Sequence, residues 1–511
     1  MTVFYTINGT YQYKTKTLLL PGESVKKQIF IFVMVLVAIF GIALKKKNKR
    51  TKRTSQKVKA TKKITIHKDT LKHFFTTKHP FVSHTPKLKK TSPKLVGPYA
   101  NSAIAPPPKS IYSGPLFQLR HDYPHTAKRT VGVHPWRTAI KNGKITQSNA
   151  KAYVEALKRY ISKDMRKILF NYKNWKPKSE PWWESIWLGQ VREPIHGLYV
   201  GSGFPAGTLD GQNIDITTYV FTMYDKIAAP ALGHIWNKSP YYPNITNPGA
   251  QTPEGGIVIK FAFQTACGSD WPAMKGAAMW QAYAPLNPSN GSGQKNTSCP
   301  NNGSKGKNGP ALTNLYLMQF DIIVKDSVSA PKTGWVFSTL VYDKDAPGKD
   351  AWDKMVVLGA TWGNRSLQDN WVNQKTPKYA RSTLGWQGRL SGPNDGAVAA
   401  PAWYKKNGKF IYNKKVATVG CLGCHSAAQY QMKSFLLPTT TYPPTTIKGG
   451  LVIWEPGSKE WMKWFTDRLG TVPMDPGKGQ VGLDFDMVTS FKAIPAWQRY
   501  CKQYQLPCYR K

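Results

Sequence analysis

The run Val419-Gly420-Cys421-Leu422-Gly423-Cys424-His425 constrains this chain more than any other stretch. Two thiols three positions apart, followed at once by an imidazole, have the spacing at which c-type haem is attached. Cys421 and Cys424 can each form a thioether with a vinyl group on one edge of a porphyrin. His425 then lies beneath the ring, where a nitrogen can ligate the iron. Gly420 and Gly423 are small enough to let backbone approach the macrocycle. Two other readings compete. A thioredoxin-like thiol pair needs Cys-x-x-Cys without His425 and sits in a βαβ context that the chain lacks. A structural zinc site needs a further Cys or His pair at short spacing, and none follows.

The charge distribution comes next. The 511 residues carry a formal charge of +45. Residues 1–95 hold 22 Lys/Arg against Glu23 and Asp69, a balance of +20, which leaves +25 for 96–511. Ile29–Leu44 is a run of sixteen apolar or small residues between Lys26-Lys27 and Lys45-Lys46-Lys47. It falls slightly short of the roughly 20 residues a spanning helix prefers, within reach if the lysines snorkel. A signal-peptide core, about 7–15 residues, is the competing reading, but no small-x-small cleavage site follows Leu44. The expectation is an uncleaved single-pass anchor.

Its orientation divides the signals. Seven basic residues from Lys45 to Arg53, against four before the segment, favour a cytoplasmic C-terminal part. Haem attachment in bacteria belongs on the other side, so the large part is expected in the periplasm. The Lys-, Thr- and Pro-rich residues 45–110 read as a self-repelling tether attracted to anionic lipid. A nucleic-acid arm is the alternative, but no nucleic-acid fold signature follows, and no nucleic-acid partner is expected.

The division expected is 1–28 as a short N-terminal segment, 29–44 as anchor, 45–110 as tether, 111–255 as a helical, aromatic-rich region and 256–511 as a β-rich haem domain with a C-terminal helical segment. The fold class is α+β. Gln147–Tyr172 has apolar residues at three-to-four spacing (Tyr153, Leu157, Ile161, Met165, Ile168) and predicts a helix capped by Thr146 or Ser148. Trp175, Trp182, Trp183 and Trp187 form an aromatic cluster after it. From Gly256, the segments 256–266, 315–325, 335–342 and 355–359 are rich in β-branched and aromatic residues and predict strands. In the first, Val258 and Lys260 alternate with Ile259 and Phe261. Lys459–Leu469 reads as a short helix. His121, His125 and His134 fit no standard metal spacing and read as packing or surface histidines. Cys267 with Cys299, and Cys501 with Cys508, are candidate disulfides that suit an oxidising compartment.

The stretches 192–198 (REPIHGL), 334–343 (GWVFSTLVYD), 358–364 (LGATWGN), 384–393 (LGWQGRLSGP) and 421–430 (CLGCHSAAQY) together resemble a family of uncharacterised bacterial single-haem c-type cytochromes, over roughly residues 130–495. The resemblance implies one haem c per chain held by Cys421, Cys424 and His425, and no assigned substrate. The strand with Ile259-Lys260, the Gly334-Trp335 strand and the late Cys-x-x-Cys-His are also similar to the cytochrome c-prime-beta group, which has lysine-crosslinked, hydroxylamine-oxidising relatives. Lys260 has no established match to the crosslinking lysine. Small all-helical cytochromes c carry the motif near the N-terminus, whereas about 300 patterned residues precede it here.

Three functions remain. The first is electron transfer, with His425 on one side of the iron and a fixed ligand on the other. Met474, in a Pro-Met loop, leads the distal candidates, with Met432 and His196 behind. Acidic redox partners would suit the basic surface. The second is an open distal face that binds or transforms nitric oxide, hydroxylamine or peroxide. The third is a binding module to which haem is incidental. The chain has no phosphate loop, nucleophile elbow or zinc-protease motif, so no catalytic residue is assigned.

Overall fold

The computed structural model describes residues 5–7, 10–12 and 107–503, except for 125, 127–133, 189–191, 205, 237–242, 247, 286–309, 366, 383–397 and 449. The chain divides into two compact units, Met1–Ile31 and Phe32–Lys511. In the first, β1 (Tyr5–Ile7) and β2 (Thr10–Gln12) pair antiparallel. The expected anchor at Ile29–Leu44 and the tether up to residue 106 lie outside the described residues. Among the described residues no helix is long and apolar enough to cross a membrane.

The second unit is α+β. A short helix α1 (Pro135–Thr138) precedes α2 (Ala150–Asn171), which matches the periodicity of the sequence. Its cap differs from expectation. Asn149 is the capping residue, and its side-chain oxygen turns back to accept from the Thr146 amide at 2.7 Å, so no side chain caps the first turn. Nine antiparallel strands follow: β3 (Trp182–Trp183), β4 (Tyr199–Phe204), β5 (Ile216–Asp225), β6 (Ile257–Gln264), β7 (Met279–Pro285), β8 (Pro310–Lys325), β9 (Trp335–Tyr342), β10 (Met355–Thr361) and β11 (Asn370–Val372). They form one sheet in the order β11-β10-β9-β8-β6-β5-β3, with β4 beside β5 and β7 beside β8. Helix α3 (Ala229–Trp236) sits in the β5–β6 connection. Strands therefore begin well before Gly256, and the β5–β6 ladder carries the sheet across the division expected at residue 255.

Side chains alternate across a strand, so each face of this sheet has its own set. On one face Phe221, Met223, Ile259, Phe261, Phe320, Ile322 and Leu340 pack against Tyr153, Leu157, Ile161, Met165 and Ile168 of α2. Each large apolar group there contributes about 1.5–3 kcal/mol. Lys158 fastens the helix to the sheet edge, donating to the Met355 carbonyl at 2.7 Å. The opposite face carries Val220, Thr222, Tyr224, Val258, Lys260, Ile323 and Phe337, and the C-terminal part of the chain covers it.

That part begins with α4 (Lys378–Ser382), then β12 (Val398–Lys406) and β13 (Lys409–Val419). These join β16 (Gly450–Ile453) and β15 (Thr446–Ile447) in a second sheet of order β13-β12-β16-β15. Strand β13 runs into α5 (Cys421–His425), and β14 (Gln429–Tyr430) pairs with β17 (Val481–Gly482). Helix α6 (Lys459–Met462) continues as a 3-10 turn, Lys463–Phe465, shorter than the helix expected to Leu469. A π-helical turn, Thr489–Ala493, leads into α7 (Ile494–Gln503).

Candidate functional site

The Cys-x-x-Cys-His stretch forms the single helical turn α5, begun by Gly420 in extended conformation, with the Cys424 amide donating to the Gly420 carbonyl at 3.0 Å. Helical spacing of three brings Cys421 and Cys424 to the same side of the turn. Both thiols are free, and burial pushes each up to about 12, so they are protonated. Leu422 pins the turn by packing fully buried with Trp335, Phe337 and Phe485. Gly423 also answers a packing demand. A Cβ there would lie 2.5 Å from both the Trp464 carbonyl oxygen and a Val419 methyl group, so its small size is required by protein packing.

A cavity of about 220 Å³, partly open to solvent, lies between the covered face of the large sheet and residues 484–492, and Cys424 and His425 line it. His425 Nδ1 is 2.8 Å from the Phe485 carbonyl oxygen. A ring nitrogen facing a carbonyl must donate, so Nδ1 carries the proton and the Nε2 lone pair is left available. Burial pushes the imidazole down to about 4 despite that bond, which keeps the ring neutral near pH 7. Phe337 meets the ring edge-on, with centroids 4.6 Å apart.

The carbonyl that orients His425 sits in unusual backbone. Asp484 and Phe485 have φ of +48° and +64°, left-handed values that cost a side-chain-bearing residue about 1–2 kcal/mol. The conformation is held by the Asp484 carboxylate, which accepts from Lys325 Nζ at 2.6 Å, Trp335 Nε1 at 2.8 Å and the Thr252 amide at 2.8 Å. Two strands of the large sheet thus fix the loop that aims the histidine.

A polar row on the large sheet reaches the cavity wall at Thr222 and Lys260. Register places Thr222, Lys260, Asp321 and Thr339 side by side on β5, β6, β8 and β9. Lys260 Nζ lies 2.5 Å from Asp321, whose other oxygen accepts from Thr339 at 2.8 Å. Burial works against the lysine charge, but the Asp321 carboxylate outweighs it and holds the ammonium above the ordinary lysine range. Tyr199 and Thr222 share a hydroxyl hydrogen bond of 3.0 Å. Across the cavity Tyr224 donates to Asp486 at 2.9 Å. Lys492 also lines the cavity, has no ionic partner among the described residues, and burial pushes it down to about 8.

The candidate axial ligands fare differently. Met474 is buried in the C-terminal cluster with Phe435, Trp461 and Phe465 and does not line the cavity. Met432 packs at the margin of that same cluster. His196 is wholly buried elsewhere, stacked on Trp280 at 4.2 Å with Nδ1 2.9 Å from the Gln281 carbonyl. Among the described residues Met487 is the methionine that lines the cavity and His425 the histidine. The stretch Asp484-Phe485-Asp486-Met487 carries no periodicity or motif that would have drawn attention to it. The REPIHGL stretch is structural: the Glu193 carboxylate accepts from the amides of Ile195, His196, Leu198 and Tyr283.

His121 is half-buried, and His134 stacks on Trp136 at 4.6 Å; His125 lies outside the described residues. No group of three or more His, Cys, Asp or Glu side chains suited to a metal ion occurs among the described residues. Cys267 and Cys501 are both disulfide-bonded, while their expected partners Cys299 and Cys508 lie outside the described residues. Compared with family models, curated proteins and solved structures, the chain finds no match.

Proposed function

We propose that the chain is a monohaem c-type cytochrome that transfers electrons in the bacterial periplasm, held to the inner membrane through residues 29–44. The observation that carries the reading is the pairing, on one helical turn, of two free thiols with a histidine whose Nδ1 is engaged by a backbone carbonyl, Cys424 and His425 lining a cavity. Cys421 and Cys424 would hold the porphyrin edge and His425 Nε2 the iron. Lys492, a half-buried cation without an ionic partner among the described residues, suits a porphyrin carboxylate. The haem supplies one-electron chemistry when bound; the protein supplies a largely apolar pocket that raises the cost of charge on the iron. Met487, which lines the cavity where Met474 does not, is the methionine that would be available to hold the iron opposite His425. Acidic proteins remain the expected redox partners.

The test is denaturing gel electrophoresis with haem-peroxidase staining, together with intact mass. Stain that survives denaturation and a mass one haem heavier are expected, and both should vanish in Cys421→Ala/Cys424→Ala. A chain exported to the periplasm that keeps its unmodified mass overturns the reading. A reporter active only in the periplasm, fused after residue 110, tests the location separately.

A second reading has its own support in the Lys260–Asp321 pair and the Tyr199–Thr222 contact, which give one cavity wall groups able to donate hydrogen bonds. Such a wall suits an open iron face that binds nitric oxide, hydroxylamine or peroxide. Ready carbon monoxide binding by the reduced protein would favour it over electron transfer.

A further inference from the structure

Strands β12 and β13 form a hairpin whose tip projects past its neighbours. Along β12, strand β16 pairs with Ala402–Tyr404 and goes no further, so among the described residues Lys405, Lys406, Lys409 and Phe410 have only each other as ladder partners. Asn407 and Gly408 make the turn with φ of +49° and +79°, the left-handed pair that the tightest hairpins require. An isolated two-stranded ribbon is marginal in water, and this one leaves Phe410, Ile411 and Tyr412 exposed at 51%, 36% and 45%. They do not form one greasy face. Register pairs Lys405 with Phe410 and Tyr404 with Ile411, so each side of the ribbon mixes apolar groups with lysine. Lys405, Lys406 and Lys409 are all exposed, and among the described residues only Lys406 has an acidic partner, Glu455 at 3.1 Å.

The charge of the surrounding chain is one-sided. Residues 396–454 contain seven lysines and no Asp or Glu. Aromatic and aliphatic groups at a tip, ringed by lysines with Glu455 the one acid paired to them among the described residues, are complementary to a surface with negative groups outside and hydrocarbon just beneath. An anionic bilayer has that profile, and interfacial aromatics with basic neighbours are how proteins settle into it. An acidic protein would satisfy the lysines but would leave apolar side chains on both faces of so narrow a ribbon uncovered. Because β13 runs straight into Cys421, a hairpin seated in the bilayer would also fix the height of the cavity above it.

We propose that the Lys405–Tyr412 hairpin tip is a membrane-docking element that inserts Phe410, Ile411 and Tyr412 into the interface of an anionic bilayer. The test uses the full chain with a bimane label on Phe410→Cys and the unsubstituted chain as labelling background. Vesicles of phosphatidylcholine mixed with phosphatidylglycerol should shift the emission to the blue and allow quenching by spin-labelled lipid. Pure phosphatidylcholine should do neither, and high salt should reverse the effect. Lys405→Gln/Lys406→Gln/Lys409→Gln should weaken insertion about fivefold for each lysine removed. Ile411→Ser/Tyr412→Ser, which keeps the lysines, should retain salt-dependent association but lose the blue shift. Pelleting of the chain with vesicles while the label stays unshifted would assign binding to the basic N-terminal residues and overturn the proposal. A label that responds to soluble polyglutamate and not to vesicles would overturn it in favour of an acidic protein.

Discussion

Replacing Asp484 by alanine should unfold the site more readily than any other single change in the loop that orients His425. The carboxylate is fully buried and accepts from Lys325, Trp335 and the Thr252 amide. Removing it leaves the Lys325 ammonium, whose side chain is only 16% exposed, without its counter-ion. Breaking one side of a buried pair costs about 3–5 kcal/mol. Alanine also tolerates φ of +48° less well than aspartate, which adds up to about 1 kcal/mol. Asp484→Ala should therefore lose about 4–6 kcal/mol in urea unfolding followed by tryptophan fluorescence. Asp484→Gly relieves the backbone but not the charge, so its loss should be smaller by the strain alone. Adding Lys325→Met to Asp484→Ala removes the stranded cation and should recover about 2 kcal/mol or more. A loss under about 1 kcal/mol for Asp484→Ala, or no recovery in the double variant, would refute the view that this ion pair holds the loop.

Three further outcomes are expected. Met487→Ala should change the visible spectrum of the haem-loaded protein and open it to carbon monoxide, whereas Met474→Ala should lower stability by about 2–5 kcal/mol and leave the spectrum alone. Lys492→Gln removes a positive charge that favours the reduced iron, so the potential should fall in a potentiometric titration, while the charge-keeping Lys492→Arg should largely preserve it. Burial pushes the Glu184 carboxyl up to about 8, so between pH 4.5 and 8 the unfolded chain releases a proton that the folded chain keeps, and stability falls as pH rises. Glu184→Gln cannot ionise, and its stability relative to the parent should rise by a few kcal/mol, on the order of 1.4 per pH unit, across that window in urea titrations.

Which parts of the fold could be read from sequence follows from what covers each element. Helix α2 and strand β6 each have one wet or polar side, so their periods of 3.6 and 2 are visible in the residues. Strand β5 carries no such signal because it is buried at all ten positions, with α2 packing on one face and the C-terminal part of the chain on the other. A strand covered twice has no polar side to alternate with. The β12–β13 hairpin was legible in principle, since Asn407-Gly408 between runs of aromatic and β-branched residues is a strong turn signal. The site divides the same way. Cys421, Cys424 and His425 are close in sequence and share one helical turn, so spacing alone found them. The groups around them come from strands and loops 60 to 230 positions away, such as Phe485 on one side and Tyr199 on the other, and left-handed backbone at Asp484 and Phe485 has no residue signature like that of glycine.

The polar row on the large sheet bears on the choice between the two functions. Thr222, Lys260, Asp321 and Thr339 interrupt a face that is otherwise Val220, Val258, Ile323 and Phe337. Stability does not account for them: taking a lysine and an aspartate out of water costs several kcal/mol per ion, and an apolar pair of similar volume often does as well or better. A simple electron carrier has no use for them either, because it needs a dry pocket and two fixed axial ligands. A charged donor facing a haem cavity acts on whatever occupies the iron's open side, by hydrogen bonding to a bound oxygen or nitrogen or by supplying a proton. If Met487 reaches the iron, the row is screened from it and electron transfer stands. If Met487 only lines the wall, Lys260 would be a cation on the wall of a site with an open iron face, and the same scaffold would suit small-molecule chemistry. The axial ligand decides between the two readings.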